Sequence, residues 1–430
     1  MKDGGRLQAA IEVLEEIETR YRPVQAALKD WGNAHRFAGS GDRTAIGNLV
    51  FDALRHKLSL AARVGDASAR MLVFGVYVLS WEKGVDGLLE AVDGDRHAPP
   101  PPTGSEQEAL RLASNAVPGG AAAADVPEWI WPEFENFFGE SAVAEGQALA
   151  ARAPIDLRVN SLKSDREKIL KRLSHVDAQA CARSPLGLRI RPKPGALRMP
   201  HVQAEEGYQK GWFELQDEAS QLAAQLSGVA PGMQVLDYCA GGGGKTLALS
   251  ALMQNKGQIY AYDADRLRLA PIHERLKRAG ARNVQVRDPA SSSLDDLKEE
   301  MDLVFIDAPC TGTGVWRRRP DSKWRLSEKA LEDRIEDQRN VLERARAYVK
   351  PGGRLVYVTC SLLNSENAGQ ISWFLEKHPE FQSVSALDLW RDRLPGVSEP
   401  AYVSERGDVT LSPASTDTDG FFVAILECRK

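Results

Sequence analysis

The sequence predicts an α/β fold: a mostly parallel sheet covered by helices, preceded by a small α+β unit and an all-helical N-terminal region. Three observations carry this. From Gln216 onward, short apolar runs alternate with helical stretches, several of them closed by glycine or followed by a turn. Before about Glu90, apolar residues recur only at helical spacing. With 430 residues, 43% of them hydrophobic and 27% charged, the chain is long enough for two or three domains with real cores.

In chain order, Ile11, Leu14 and Ile17, and then Ile46, Leu49, Val50, Leu54 and Leu58, fall on helix faces with no strand-like alternation between them. Residues 1–140 are therefore read as a helical domain that continues through Trp129–Phe138. Residues 94–124, with four prolines at Pro99–Pro102 and a later GGAAAA, are read as a loop or linker. Residues 141–214 mix IDLRVNSL and LGLRI with prolines and glycines, which predicts a small basic α+β domain. Residues 215–430 then run as helix DEASQLAAQL, strand MQVLD, a glycine loop, helix KTLALSALM, strand QIYAYD, helix HERLKRA and strand NVQVRD. DLVFID, a helix near Glu328–Tyr348, the turn PGG, RLVYVTC and GFFVAILEC complete the alternation expected of a parallel, helix-covered sheet.

Composition narrows the class. There is no apolar run of roughly 18 residues, and the charged, glycine-containing start MKDGGRLQAA does not read as a signal peptide, so a cytoplasmic protein is expected. Cys181, Cys239, Cys310, Cys360 and Cys428 lie far apart without zinc-type spacing, so neither a disulfide framework nor a metal is expected. The net charge of −5 conceals two basic clusters. Between Arg152 and Arg198 twelve basic residues face four acidic ones, and Arg317, Arg318, Arg319, Lys323 and Arg325 face only Asp321. Such clusters on an acidic chain suit a polyanion bound in a cleft, while a solvated face is the plainer alternative. Trp316 and Trp324 beside the second cluster favour phosphate contact with stacking, and hence RNA.

The first chemical signal is LDYCAGGGGKT, in which a strand ends at Asp237, Gly241–Gly244 follow, and a helix opens near Lys245. Glycines there let backbone N–H groups approach a ligand at a helix N-terminus. Asp263, at the end of the next strand, is placed to accept from ribose hydroxyls, so an adenosine-containing ligand is expected. GGGGKT also approaches a nucleotide-hydrolase P-loop, with DLVFID as its acidic strand, but the first glycine of that pattern falls on Cys239.

The second signal is a pair of strands, FIDAPCTGTGVWRRRPDSKWR and VYVTCSLLNSEN, each ending in a cysteine beside turn-forming residues at the same crevice. Carbon 5 of cytosine is a poor nucleophile. Addition of a thiolate to carbon 6 makes carbon 5 enamine-like, able to attack a sulfonium methyl. Asp307 stands where a carboxyl can hydrogen-bond the cytosine edge, and it must be protonated to donate to the ring nitrogen.

DAPCTGTGVWRRRPDSKW and VTCSLLNSEN, together with RVNSLK, ELQDEASQLAA and DGFFVAIL, resemble signatures of the RsmB/Nop/Sun family of RNA 5-methylcytosine methyltransferases. The resemblance covers about Ile155–Glu427. DRTAIGNLVFDALRHKLSL resembles, more weakly, a NusB-like RNA-binding domain. The resemblance implies a Rossmann-like class I methyltransferase domain, S-adenosylmethionine as donor, and a monomer acting on small-subunit ribosomal RNA, with transfer RNA left open. It makes Cys360 the nucleophile and Cys310 the residue that assists release; chemistry alone does not order the two.

The resemblance also places the donor against Cys239, Ala240, Gly241, Gly242, Gly243, Gly244 and Lys245. Asp263 falls on ribose, Asp288 near adenine and Asp307 between donor and cytosine, while Asn160 and Lys163 touch the target or its phosphate. Two positions depart from the family pattern. Gly242 replaces proline in the loop, which loosens it by about 0.5–1 kcal/mol of ordering entropy. Pro289 follows Asp288 and removes a backbone donor. A flipped, single-stranded cytosine is the expected target. A P-loop hydrolase and a catalytically silent RNA-binding factor remain as rival classes.

Overall fold

The computed structural model describes the whole chain except Ala290 and the side chains of Ser291 and Ser292. It divides into two compact units. The first comprises Met1–Ala153, Pro192–Met199 and Trp316–Leu326; the second comprises Pro154–Arg191, Pro200–Val315 and Ser327–Lys430. Among the described residues no helix is long and apolar enough to cross a membrane.

The first unit is helical, as expected. Helices Asp3–Arg20, Ser40–Arg55 and Ala69–Gly75 turn Leu7, Leu14, Ile46, Leu49, Val50, Leu54, Leu72 and Phe74 into one core, each apolar face burying what the 3.6-residue period brings together. Residues 94–124 depart from the loop reading. Thr103 accepts from the Glu106 N–H while Glu106 accepts from the Thr103 N–H, a reciprocal cap that starts helix Gly104–Leu112. That helix buries Leu110 in the core. The alanines form a further turn, Gly120–Ala124, and helix Ala142–Ala150 follows in the same unit. A side chain on Gly146 would meet Ala124 at 2.5 Å, so glycine lets the backbones touch. The prolines thus punctuate helices instead of separating domains.

The second unit holds two sheets. The smaller has strands β1 (Ile155–Val159), β2 (Gln179–Ala180), β3 (Gly187–Ile190) and β4 (Phe213–Leu215) in the order β2-β3-β1-β4, all antiparallel. Helix Arg166–Arg172, capped by Asp165, packs on it.

The larger sheet has β5 (Gln234–Asp237), β6 (Gln258–Ala261), β7 (Val284–Val286), β8 (Met301–Asp307), β9 (Val349–Thr359), β10 (Phe381–Val384), β11 (Tyr402–Val403), β12 (Val409–Leu411) and β13 (Phe421–Cys428). Its order is β11-β12-β13-β9-β8-β5-β6-β7, with β10 on β13. The pairs among β5 to β9 are parallel and those involving β10 to β13 antiparallel, so the expected parallel sheet is mixed at one side.

Near-continuous apolar runs follow from burial on both faces. Val235, Phe305, Val356 and Val358 join one core, while Leu236, Val304, Ile306 and Tyr357 join the other. The connection order reverses between β5 and β8, and in an open α/β sheet the ligand crevice lies at the carboxyl ends of the strands at such a point. Asp237, Asp307 and Thr359 end the strands that define it.

Candidate active site

The loop after β5 is built to turn sharply into helix Gly244–Leu252. Gly243 has φ +82°, and a Cβ there would meet Ile272 at 2.5 Å, so both conformation and space require glycine. Asp263, buried at the end of β6, accepts from the Gly241 N–H at 2.9 Å and from the Asp265 N–H at 2.8 Å. Its two oxygens thereby fix the loop and retain lone pairs for a further donor. The Gly242 carbonyl accepts from Arg275 at 2.7 Å. Arg158 donates to the Gly244 carbonyl at 3.1 Å and to Gln216 at 2.7 Å. Burial lowers Arg158 to about 10, with Glu214 opposing and Arg275 adding to the fall.

Asp237 lies beneath this loop, fully buried, accepting from the Thr246 hydroxyl at 2.6 Å. Burial pushes its carboxyl up to about 7; the Thr246 bond and Lys245 oppose the rise, while Asp307 and Asp263 add to it. Its other oxygen has no hydrogen-bond partner among the described residues. Lys245 crosses the loop to Asp307, with Nζ 2.7 Å from Oδ2, and lies 5.1 Å from the ring centre of Phe421. Burial, followed by Asp263, Asp307 and Asp237, raises the Cys239 thiol well above its ordinary range. Asp288 is exposed, 3.5 Å from Arg266, and the Pro289 carbonyl accepts from Tyr262 at 3.1 Å.

The two cysteines meet. Cys360 follows the end of β9, Cys310 follows β8 by three residues, and their sulfurs are 3.3 Å apart. Gly314 N–H donates to the Cys360 carbonyl at 3.0 Å, and Gly420 N–H donates to the Gly314 carbonyl at 2.8 Å. A Cβ on Gly314 would sit 2.2 Å from the Gly420 carbonyl oxygen, which is why that turn needs glycine. Contact with Cys360, then burial, raises the Cys310 thiol well above its ordinary range.

Three side chains that the sequence analysis did not single out hold this pair. Glu366, fully buried, accepts from the Thr311 N–H at 2.8 Å, from the Thr311 hydroxyl, and from Gln338 at 2.9 Å. Gln338 also donates to the Pro309 carbonyl at 2.9 Å. Asn367 donates to the Ser361 carbonyl at 2.9 Å and accepts from Thr359. Burial raises Glu366, against the bonds it accepts. The Glu-Asn pair was legible in VTCSLLNSEN; nothing in the sequence marked Gln338.

The structure places the expected RNA contacts differently. Lys323 is 1% exposed, donates to the Arg55 carbonyl at 3.2 Å and lies 4.9 and 5.7 Å from the ring centres of Trp324 and Trp316. Burial lowers it to about 8, with Asp125 opposing and Arg55 adding. Arg317 is buried as well and its carbonyl accepts from Arg55. These two are core residues of the helical unit, whereas Arg318 is half-buried and Arg319 exposed.

Asn160 is buried, donating to the Gly211 and Ala279 carbonyls at 2.9 and 2.8 Å and accepting from the Leu162 N–H, so its polar atoms are spent on the fold. Lys163 is exposed but caps the Lys210 and Arg278 carbonyls. The first basic cluster is not one surface either. Arg158 is buried, Arg189 is buried against Asp156 and Glu218, and Arg152, Lys193 and Arg198 belong to the helical unit.

The chain is similar in sequence and fold to known proteins. Residues 225–427 match the family described as 16S rRNA methyltransferase RsmB/F, and residues 126–194 match the RsmF/B-like ferredoxin-like domain. The probable ribosomal RNA small subunit methyltransferase B of Synechocystis is 32% identical over 310 residues, 70% of this chain. The chain spans 66% of that relative's length, just under two thirds. The crystal structure of PH0851 superposes with a TM-score of 0.72 at 26% identity over 99% of both chains. A methyltransferase homolog protein from Pyrococcus horikoshii superposes at 0.59 and 28% identity, covering 72% of this chain and 97% of that one. The donor used in this family is S-adenosylmethionine. With the catalytic and ferredoxin-like regions both matched in their chain order, the chain belongs to the RsmB/F methyltransferase family.

Proposed function

We propose that this protein transfers a methyl group from S-adenosylmethionine to carbon 5 of cytosine in small-subunit ribosomal RNA, through a covalent adduct with Cys360. The observation that carries the reading is the 3.3 Å approach of two thiols at the ends of neighbouring parallel strands, next to the Lys245–Asp307 pair and the glycine loop. The residues present fit the donor: a sharp glycine loop at a helix N-terminus, a buried Asp263 with lone pairs to spare, and a buried Asp237 oxygen beneath the loop that has no hydrogen-bond partner among the described residues. Residues 239–245, Asp263, Asp288 and Asp307 would hold it, and when bound it supplies an electrophilic methyl on a sulfonium.

The chain's own groups do the rest. The Cys360 thiolate adds to carbon 6, forming a C–S bond and pushing electron density to carbon 5. Asp307, paired with Lys245, hydrogen-bonds the cytosine edge. After carbon 5 is methylated, Cys310, whose sulfur lies 3.3 Å from that of Cys360 in the free protein, takes the carbon-5 proton as a thiolate, the thiol contact that raises it having been removed once Cys360 is bonded to carbon 6. The electron pair of that C–H bond restores the double bond and expels the Cys360 thiolate. A P-loop hydrolase fits less well, because the Thr246 hydroxyl, which would hold magnesium, donates to Asp237.

The test is tritium release. RNA labelled at carbon 5 of cytosine should lose tritium only in the presence of S-adenosylmethionine. Magnesium-dependent ATP binding without tritium release would refute the reading.

A further inference from the structure

Each thiol is held by the peptide groups beside it, and those groups lead to one dipeptide. On the Cys310 side, Pro309 offers its carbonyl to Gln338, Thr311 offers its N–H and hydroxyl to Glu366, and Gln338 joins Glu366 at 2.9 Å. The peptide bonds on both sides of Cys310 are thus bracketed. On the Cys360 side, Thr359 donates to Asn367, and the Ser361 carbonyl accepts from the Asn367 amide. The residues flanking Cys360 are bracketed in the same way. The Tyr357 hydroxyl donates to the Glu366 carbonyl at 2.8 Å and ties the dipeptide to β9. Glu366 and Asn367 are both buried, and their bonds are to loop atoms on which the cysteines depend.

We propose that Glu366 and Asn367 are paired positioning residues that set the spacing of the two thiols, Glu366 through the Cys310 loop and Asn367 through the chain around Cys360. The proposal rests on the roles given above to Cys360 and Cys310. Glu366 receives the Thr311 N–H and hydroxyl and the Gln338 amide, and the Ser361 hydroxyl is a further partner, which suits a carboxylate. A glutamine keeps one oxygen for the Thr311 N–H and turns its amide N–H₂ toward the Thr311 hydroxyl, so the bracket survives without the charge. An alanine removes it. Because a displacement near 1 Å at reacting atoms costs on the order of 100-fold in rate, a loose bracket is read in the chemistry.

The experiment uses the full chain and the variants E366A, E366Q and N367A. Without RNA, iodoacetamide labelling of each cysteine is followed peptide by peptide. E366A should change the Cys310 rate by roughly 5-fold or more and the Cys360 rate by a smaller factor, through Ser361, N367A should do the reverse, and E366Q should return Cys310 toward wild type, since labelling follows thiolate fraction and access.

With S-adenosylmethionine and single-stranded cytosine RNA, E366A should accumulate covalent protein–RNA adduct on denaturing gels. E366Q should clear most of that adduct, and N367A should form adduct slowly without accumulating it. Equal changes at both thiols, no change at either, or E366Q behaving like E366A would overturn the proposal. The labelling pattern without any adduct, even from C310A, would leave the bracket standing and refute the functional reading instead.

Discussion

The sulfurs of Cys310 and Cys360 lie 3.3 Å apart although fifty residues separate them in the chain. In the reaction proposed above, that contact would bring a nucleophile and a proton acceptor to one base. The C360A variant should lose methyl transfer and tritium release entirely while still binding RNA. C310A should transfer the methyl, fail to release product, and accumulate an adduct on denaturing gels. The reverse pattern would exchange the roles of the two cysteines.

Asp237 makes folding pH-dependent. Its carboxyl titrates near 7 in the fold against 3.8 ordinarily, so the unfolded chain gives up this proton first. Stability from this group is full below about pH 4 and is lost as pH rises toward 7. D237N keeps an acceptor for Thr246 and carries no charge. It should therefore raise the melting temperature at pH 8 and leave it nearly unchanged at pH 4, with a stability gain on the order of 2 kcal/mol at the higher pH. An equal shift at both pH values would remove Asp237 as the cause.

Burial of Lys323 predicts which cations meet RNA. K323M should leave the salt dependence of RNA binding unaltered, because its ammonium is inside the helical core. R319A removes an exposed guanidinium and should lower the slope of log K against log salt by about 1 if that side chain neutralises a phosphate. Filter binding across a salt series distinguishes them.

The backbone of Gly242 is outside the left-handed region, unlike Gly241 and Gly243 on either side. A Cβ there meets only the end of Arg275, at 3.3 Å. G242P should stabilise the protein by about 0.4–1 kcal/mol by restricting the unfolded chain. Calorimetric affinity for S-adenosylmethionine should rise in parallel. A fall in both would show that the loop needs the freedom of glycine.

Much of this site was legible in the chain because the features that make it are local. A mostly apolar strand run, a glycine cluster at its end and a helix after it define a loop wherever they occur, and by the same pattern Asp237 and Asp307 end their strands while Asp263 follows β6 by two residues. The alternation of Leu303, Val304, Phe305 and Ile306 between two cores follows from the period of the strand.

What the tertiary structure alone decided are long-range pairings. Gln338 sits mid-helix without any sequence mark, yet it ties Pro309 to Glu366. A run of arginine and lysine after Cys310 reads as a solvated face, but Trp316–Leu326 folds into the helical unit, where Trp324 donates to the Leu54 carbonyl and Lys323 to that of Arg55. The proline-rich stretch before residue 124 reads as loose chain, yet a reciprocal cap and the burial of Leu110 order it. Residue type fixes what a side chain is able to bond. Which backbone carbonyl comes within 3 Å of it depends on packing between segments hundreds of residues apart, and that information is not local to any one of them.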